Sequence, residues 1–424
     1  MKGHKILGLI MSVILATMPL ASGCSSADEE DGLTSASLPT ASSWTPSSPK
    51  ESSSPVSSSK VAGSSSGPGA GVSGPPEGTM VTFGVPVSFA PAGCTVSEAT
   101  AMPAGQGILG VVIANCGGAH QAYSIPLTGD GVATGKPTLI STSCQESRST
   151  VSQLVSEAGA NGFAVSFLCE TPMGVYQRGM SFLNGSGQVI TSFLLPKTYS
   201  KEKGAKPVLF AFNPVAAAYG VATDLVFQRY NEQGQSLGGA ISVPASYGYP
   251  ITSVQSGQGY WTVLESSGYG TTSCSKVSPV GTLECSKLPL ASITGPVVSI
   301  NAGATIATAI GKESDTISYA SFNPVACALT TAPSKGQVAG VIDDYYGSAS
   351  FDARTIAFLY SDSKSNLVVA FLNTTEGKIL STSKAMATTK ISTGNIFSQN
   401  HKLYVAVAAN NDAMLIVGND HAPQ

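Results

Sequence analysis

Apolar residues in this chain come in short runs of four to eight, and turn residues separate the runs. Typical examples are GFAVSFLCE at 162–170 and QVITSFLLP at 188–196, which are rich in Val, Phe and Leu. Such runs between Gly, Asn, Asp and Pro predict β-strands, whereas the three-to-four-residue spacing of a helix is hard to find along the chain. We therefore predict an all-β protein.

The strand runs recur at a regular interval. In each copy a turn follows the second of two apolar runs, and its glycine stands at 131, 187, 234, 281 and 377, giving steps of 56, 47, 47 and 96 residues. The last step spans two units around a fifth copy whose turn is reduced to Asn323-Pro324. This period and four strands per unit are typical of a β-propeller blade. One blade cannot cover its own faces, so neighbours must stack around a common axis.

The two ends of the domain predict how the ring closes. Six copies run from about Ile108 to Ser383, and a seventh is partial, with strands at 403–409 and 414–417 but no outer strand after them. The segment 82–89 has the pattern of that outer strand. We therefore predict seven four-stranded blades, with an N-terminal strand closing the last blade. Six blades with differently packed ends is the alternative.

The third copy carries a more specific pattern. Its sequence LVFQRYNEQGQSLGGAISV at 225–243 is similar to the repeat of bacterial extracellular propellers, in which an aromatic-Gln-Arg strand leads to a turn glycine and a short strand. Those propellers are often sialidase-like in outline and mostly of unknown activity. The other copies keep only the turn and the apolar rhythm, so the resemblance implies a fold and carries no catalytic residues.

The N-terminus has the parts of an export signal. Lysines precede an apolar stretch at 6–20 that is too short to span a bilayer, and the small residues Ala21 and Gly23 lead to Cys24. The sequence LASGC resembles a bacterial lipobox, although a leucine is usual in the place of Ala21. The resemblance implies that residues 1–23 are a signal peptide and that Cys24 is lipidated, so that the lipid is the membrane partner. Ordinary signal-peptidase cleavage, giving a secreted soluble protein, is the alternative.

Residues 24–79 are mostly Ser, Pro, Gly and Ala. Such a segment cannot bury a core and predicts a disordered, partly extended tether, in which the acidic run at 28–31 is solvated. Ser25, rather than aspartate, follows the cysteine, and in bacteria with two membranes this resembles sorting to the outer membrane. The predicted organisation is therefore a signal peptide at 1–23, a lipid-anchored tether at 24–79 and a propeller at 80–424.

The cysteines agree with export, and the repeat suggests their pairing. Cys94 and Cys144 each follow an outer strand, while Cys116 and Cys169 each end the next apolar strand. We therefore predict the bonds Cys94–Cys116 and Cys144–Cys169 as equivalent staples between successive blades.

A third pair is suggested by local symmetry. Cys274 and Cys285 flank the turn at 279–281, which predicts a cross-strand bond within the fourth copy. Cys327 is then left over and buried.

Charge and residue usage exclude several function classes. The segment 80–424 holds 18 Lys and Arg against 19 Asp and Glu, so it lacks the basic excess of a nucleic-acid binder. The four histidines show no metal-ligand spacing, and no catalytic or calcium-loop motif is present. We predict no nucleic-acid partner, no metal, no cofactor and no catalytic residue, and we favour a protein that is not an enzyme.

Arginines matter here because a sialidase-type site needs several of them converging on a carboxylate. The chain has Arg148, Arg178, Arg229 and Arg354, and Arg178 and Arg229 stand at different distances from their turn glycines. They do not occupy equivalent places in the repeat. We therefore expect the arginines on the solvent faces of strands.

One cluster of polar residues precedes the sixth copy. Asp343 and Asp344 stand beside Tyr345 and Tyr346, followed by Asp352 and Arg354. Paired carboxylates beside tyrosines can bind a cation or transfer protons. An exposed loop whose tyrosines lie on the blade surface is the alternative interpretation.

A second cluster is aromatic and surrounds the start of the fourth copy. Tyr247, Tyr249 and Tyr269 lie among Ser and Gly and predict loop residues that stack on sugar rings or contact a protein partner. Tyr260 and Trp261 open an apolar run and predict core positions instead.

Three functions from different classes are compatible with the sequence. The first is a non-catalytic cell-envelope lipoprotein that presents the propeller as a binding or scaffold module for a protein or glycan ligand outside the inner membrane. The second is an extracellular hydrolase or lyase acting on glycans. The third is a structural component of an envelope protein complex.

Overall fold

The computed structural model describes most of the chain from residue 81 onward. The described residues are 81–419, apart from 145–148, 202–207, 224–225, 244–250, 258, 267–271, 290–296, 302–305, 311–314, 324–325, 332–333, 339, 353, 374, 377 and 388–389. The secondary structure of this part consists of β-strands. No helix in it combines the length and apolar character needed to cross a membrane.

Thirty strands form seven antiparallel sheets within the described residues, and each sheet is one blade of a β-propeller. Two short strands, β1 (Thr82–Phe83) and β2 (Val87–Ser88), come before the first complete blade. Blade one contains β3 (Thr95–Ala104), β4 (Gly107–Asn115), β5 (His120–Leu127) and β6 (Thr138–Leu139). Blade two contains β7 (Thr150–Ala158), β8 (Gly162–Glu170), β9 (Tyr176–Asn184) and β10 (Val189–Tyr199). Blade three contains β11 (Leu209–Asn213), β12 (Ala218–Thr223), β13 (Val226–Tyr230) and β14 (Ile241–Ser242).

The later blades repeat this order. Blade four contains β15 (Ile251–Gly257), β16 (Tyr260–Ser266), β17 (Thr272–Val277) and β18 (Leu283–Pro289). Blade five contains β19 (Val297–Asn301), β20 (Ile306–Ile310), β21 (Thr316–Asn323), β22 (Ala328–Leu329) and β23 (Ser334–Gln337), the last two both pairing with β21. Blade six contains β24 (Ile342–Ser350), β25 (Thr355–Asp362), β26 (Asn366–Asn373) and β27 (Lys378–Ala387). Blade seven contains β28 (Ile391–Gln399), β29 (Lys402–Ala409) and β30 (Asp412–Asn419).

The N-terminal strand completes the last blade, as the sequence predicts. Thr82 pairs with Asn419, and Val87 pairs with Leu415, so β1 and β2 together form the outer edge of blade seven. The prediction of seven blades is confirmed for the described residues, in preference to six. Closure removes the open interface at which a stack of blades would otherwise separate.

Side chains of blade seven also bond to the inner strand of blade one. The backbone N–H of Ala101 donates to Asn395 Oδ1 at 3.0 Å, and Asn395 Nδ2 donates to the carbonyl of Ala101 at 2.7 Å. Thr393 Oγ1 accepts from the backbone N–H of Ala99 at 2.8 Å. These hydrogen bonds connect β28 of blade seven to β3 of blade one, the blades at which the ring closes.

The repeating glycines occupy one kind of turn, between the third and the outer strand of a blade. Gly131, Gly187, Gly234 and Gly281 have φ values of 85°, 79°, 76° and 86°. The N–H of each donates to the carbonyl three residues earlier, at 2.9 to 3.0 Å. This left-handed conformation has a low energy only for glycine. The spacing of these glycines along the sequence therefore gives the spacing of the blades.

The apolar core lies between neighbouring blades. In β4, Val111 and Ile113 pack with Val165 of blade two, whereas the intervening Val112 packs with Tyr404 of blade seven. Strands buried on both faces read as continuous apolar runs rather than alternating ones. This explains the run GILGVVIAN at 107–115.

Trp261 shows how an interface is made specific. Its side chain is fully buried between blades three and four, and Nε1 donates to the carbonyl of Ala211 at 2.9 Å. The expected core position of Trp261 is confirmed. Tyr260, expected beside it in the core, is only half-buried, and Lys276 Nζ lies 4.1 Å from its ring centroid.

Two of the three predicted disulfides are formed. Cys94 and Cys144 lie in the connections that enter blades one and two. Cys94 is bonded to Cys116, which directly follows the second strand of blade one, and Cys144 is bonded to Cys169 in the second strand of blade two. The predicted pairing is confirmed, but each bond closes the entry to a single blade and does not link two successive blades as expected.

The predicted Cys274–Cys285 bond is wrong, because Cys274 is bonded to Cys327. In the pairing of β17 with β18, Cys274 lies opposite Leu288, while Cys285 lies opposite Lys276. The register shifts between these positions remove the symmetry that the sequence suggested. Cys327 is buried as expected, but it is a bonded residue and not a left-over one.

Candidate functional site

The acidic and tyrosine cluster of the sequence lies in β24, the innermost strand of blade six, and not in the connection before it. Asp343 and Asp344 are exposed near the start of this strand. Tyr345 packs on the side of blade five, whereas Tyr346 packs on the side of blade seven. The tyrosines therefore support two blade interfaces, and they do not form one aromatic surface.

The phenol of Tyr346 has a raised pKa. Burial raises the pKa of this phenol, and the negative charges of Asp344 and Asp343 raise it further. The hydrogen bond between the Tyr346 hydroxyl and Ser361 Oγ, at 3.4 Å, lowers the pKa and offsets part of the rise. The phenol therefore stays protonated at neutral pH.

The remaining members of the acidic cluster are far away. Asp352 and Arg354 follow the other end of the nine-residue strand β24, roughly 25 Å from Asp343 at the usual rise per strand residue. Among the described residues no group of three or more His, Cys, Asp or Glu side chains is placed to hold a metal ion. The structure thus separates residues that stand close together in the sequence.

The three tyrosines predicted as contact residues, Tyr247, Tyr249 and Tyr269, lie outside the described residues, as do Cys24 and residues 25–79. Their proposed contacts with a glycan or protein remain predictions.

The expectation that the arginines lie on solvent faces is wrong for Arg178. Its side chain is 2% exposed, between blades two and three. Arg229 is half-buried, its Nη1 donates to the carbonyl of Pro279 at 2.7 Å, and burial lowers its pKa. Arg148 lies outside the described residues, and the three described arginines belong to blades two, three and six. They do not converge on one point.

A cavity of about 500 Å³ lies between blades two and three, and we call it the side cavity. Arg178 and Val221 are its buried residues, and Pro196, Lys197, Val226 and Ala240 are exposed at its rim. The half-buried lining residues between them are Leu195, Thr223, Gln228, Tyr230 and Tyr199. Its volume falls within the range of about 300 to 1,000 Å³ that is usual for small-molecule sites.

An irregularity in the outer strand of blade two forms one wall of the side cavity. Leu194 pairs with Gly179 and Thr198 pairs with Gln177, so three residues of β10 stand opposite the single residue Arg178 of β9. The middle one is Pro196, which has no N–H to offer to a sheet. Gln177 Nε2 donates to the carbonyl of Leu195 at 2.6 Å and supports the displaced segment.

A chain of polar contacts positions the guanidinium of Arg178. Its Nη2 donates to Gln153 Oε1 in β7. Gln153 has a φ of 56°, which is unfavourable for a residue with a side chain. Glu98 of blade one compensates, because its carboxylate accepts the backbone N–H groups of Gln153 at 2.7 Å and Leu154 at 2.6 Å.

The described lining of the side cavity contains two basic residues and no carboxylate. It contains Arg178 and Lys197 but no Asp, Glu or His. Lys197 Nζ lies 5.1 Å from the ring centroid of Tyr199. Burial raises the pKa of Tyr230, so its phenol is neutral near pH 7. Nε and Nη1 of Arg178 are closed off from solvent, so Lys197 is the cation at the open part of this lining.

Sequence reasoning missed this site, although two signals were present. Pro196 interrupts a long outer-strand run, and a proline inside a strand marks a bulge or an edge. Arg178 stands in a strand whose following residues are mostly buried. Neither signal shows that the two residues face each other.

Comparisons with known proteins identify no family. No protein-family model and no curated protein matches the chain. Among solved structures, the WD40 domain of Toxoplasma gondii coronin is similar, with 9% sequence identity, a TM-score of 0.49, and coverage of 81% of this chain and 89% of that chain. A likeness at this level assigns neither a family nor a site residue.

Proposed function

We propose that this protein is a non-catalytic cell-envelope lipoprotein whose β-propeller serves as a binding or scaffold module outside the inner membrane. The observation that carries the binding role is the composition of the side cavity. Its described lining offers apolar walls, two phenols and the exposed Lys197, and it contains no Asp, Glu, His, Ser or Cys. Such a lining suits the retention of a ligand.

The framework supports the same role. The described sheets form a closed ring, and disulfides at Cys94–Cys116, Cys144–Cys169 and Cys274–Cys327 fasten parts of it. Disulfides of this kind persist in oxidising compartments, which favours an extracytoplasmic location. A rigid scaffold with variable loops is a common basis for recognition.

The anchor is the part of the proposal that rests on the sequence. Cys24 follows a short apolar segment, and the residues up to 79 supply a tether. A lipid on Cys24 would hold the propeller at a membrane surface, which is the outer membrane in a cell with two membranes.

The proposal is tested by expressing the full chain and a Cys24→Ser variant in a bacterium that acylates lipoproteins. We expect the wild-type chain to incorporate a labelled fatty acid and to fractionate with membranes, and the variant to do neither. A wild-type N-terminal peptide that is recovered without acyl groups, or that is joined to another peptide by a disulfide, would contradict the anchor.

The non-catalytic part has its own test. The purified full chain is incubated with a panel of envelope and extracellular polysaccharides, beside Asp343→Asn and Asp344→Asn variants. We expect no cleavage by any of them. Cleavage by the wild-type chain that either variant loses would make the protein a glycan-acting enzyme.

A further inference from the structure

We propose that the side cavity binds a small, neutral aromatic molecule with one hydrogen-bond donor, of the class of indoles and phenols. Its ring lies against Val221, Val226 and Tyr230, and its donor bonds to Gln228 Oε1. This deepens the proposed binding role, on which it rests, by naming a site and a ligand class. It does not depend on the lipid anchor.

One face of blade three forms a wall of the side cavity. Val226, Gln228 and Tyr230 alternate along β13 and therefore share one face of the sheet. Tyr230 packs with Phe182, so this face is turned toward blade two. Val221 of β12 pairs with Gln228 and is buried. The wall thus runs from the packed interface between the two blades to the exposed Val226.

Aromatic rings fill one end of this blade interface. The ring centroid of Tyr230 lies 5.7 Å from that of Phe182 and 5.8 Å from that of Phe193 in the outer strand β10. Beyond Phe193, β10 departs from its pairing at the bulge around Pro196, and the side cavity lies beside this bulge. A planar ring in the cavity extends the aromatic cluster, because aromatic pairs favour offset or edge contacts at centroid distances of about 4.5 to 7 Å.

The amide of Gln228 supplies an oriented acceptor. Its Nε2 donates to the carbonyls of Arg229 at 3.2 Å and Gly238 at 3.0 Å, and to Ser236 Oγ at 2.9 Å. Carbonyls only accept, so these bonds fix which end of the amide is the donor. Within the part of the chain that the structure describes, no hydrogen bond reaches Gln228 Oε1, and the residue is half-buried in the cavity lining. A ligand N–H or O–H completes this group.

The charges around the side cavity favour a neutral ligand. Nε and Nη1 of Arg178 are closed off from solvent, Lys197 is exposed at the rim, and the described lining contains no carboxylate. A charged group carried inward would lose water against Val221 without gaining an ionic partner, which costs free energy. A sugar ring has the same difficulty, because its many hydroxyls need more polar partners than this apolar wall offers.

The first test compares indole with benzofuran on the full chain. The two molecules have the same bicyclic shape, but benzofuran has a ring oxygen in place of the N–H donor. Saturation-transfer NMR detects binding, and calorimetry measures the affinity. We expect indole to bind about fivefold more tightly, which is the change expected for one hydrogen bond between neutral groups.

Three further probes define the ligand class. Indole-5-carboxamide is compared with indole-5-carboxylate, which has a similar shape and the same donor but a negative charge, and we expect the carboxylate to bind more weakly. Methyl glucoside represents a sugar ring. We expect it not to bind at the concentration that half-saturates the protein with indole.

Two variants localise the binding. Gln228→Leu is expected to lower the affinity for indole to that for benzofuran and to leave the affinity for benzofuran unchanged, whereas mere damage to the wall would weaken both. Val226→Trp fills the entrance at a residue that is 39% exposed and is expected to abolish binding of both probes. Its matched control is Val341→Trp, at a 41% exposed residue before blade six, which is expected to leave binding intact. The Val226 variant keeps the test decisive if Gln228→Leu does not fold.

Several results would overturn the inference. These are equal affinity for indole and benzofuran, tighter binding of the carboxylate or of methyl glucoside, unchanged binding in folded Val226→Trp, and no binding of indole at millimolar concentration. Failure of the probes to bind would remove this site and leave the acylation test of the anchor standing. Loss of acylation in the Cys24 experiment would refute the anchor and leave this inference unaffected.

Discussion

Cys274 Sγ, in the third strand of blade four, is bonded to Cys327 Sγ, which stands between the third strand and β22 of blade five. Both side chains are buried, so the bond crosses an interface between two blades. The other two disulfides act at the entry to a single blade. Blades four and five are therefore linked covalently as well as by packing.

This bond is expected to contribute to stability. Replacing Cys274 and Cys327 together by alanine should lower the free energy of unfolding by about 2 to 4 kcal/mol, because the unfolded chain loses a cross-link. Chemical denaturation of the full chain measures the change. Peptide mapping under non-reducing conditions is the control, and a peptide pair joining Cys274 to Cys285 would contradict the structure.

The turn glycine of blade three touches blade two. Gly234 has a φ of 76°, and a Cβ added there would lie 2.7 Å from Phe182 Cδ2 and would also meet Thr191. Gly234→Ala is therefore expected to lower the free energy of unfolding by about 2 to 4 kcal/mol, through left-handed strain and overpacking.

A matched control lies five residues further on. A Cβ added at Gly239 would meet no atom within 4 Å, so Gly239→Ala should change the free energy of unfolding by less than about 0.5 kcal/mol. Thermal and denaturant unfolding of both variants compare them directly. Equal effects would show that the turn of blade three does not press against Phe182.

Glu157, in the innermost strand of blade two, gives the protein a pH dependence. Burial raises the pKa of its carboxyl from 4.5 to about 7, against the opposing bond from the backbone N–H of Phe212. Between these two values the folded state binds more protons than the unfolded state, so this group makes stability fall as pH rises. The penalty is complete above the folded pKa and absent below the unfolded one.

Glu157→Gln removes this titration and keeps an acceptor for Phe212. We expect the variant and the wild type to differ little near pH 4.5 and the variant to be more stable at about pH 8, above the folded pKa. Denaturant unfolding at the two pH values measures the difference. A wild type that gains stability relative to the variant as pH rises would contradict the burial of this carboxyl.

Local chemistry explains what was predictable. The left-handed turn of each blade needs glycine, so Gly131, Gly187, Gly234 and Gly281 mark the period directly. The pairs Cys94–Cys116 and Cys144–Cys169 were predictable because their cysteines occupy equivalent positions in successive repeats. The N-terminal strand was predictable because blade seven has three strands of its own and the segment at 82–89 has the missing pattern.

Other features depend on which side chains meet between blades. A strand buried on both faces does not reveal which neighbour each residue contacts, and Arg178 shows that a charged residue in such a strand can face inward. Asp343 and Asp352 are close in sequence, yet an extended strand carries them to opposite ends of a blade.

The sequence by itself determined the all-β class, the blade period, the closing strand and two disulfides, because turn conformation and strand patterning act over a few residues. Only the tertiary structure decided the Cys274–Cys327 bond and the side cavity. Both arise where two blades stack, and their geometry depends on strand register and on the bulge at Pro196, which no local pattern specifies.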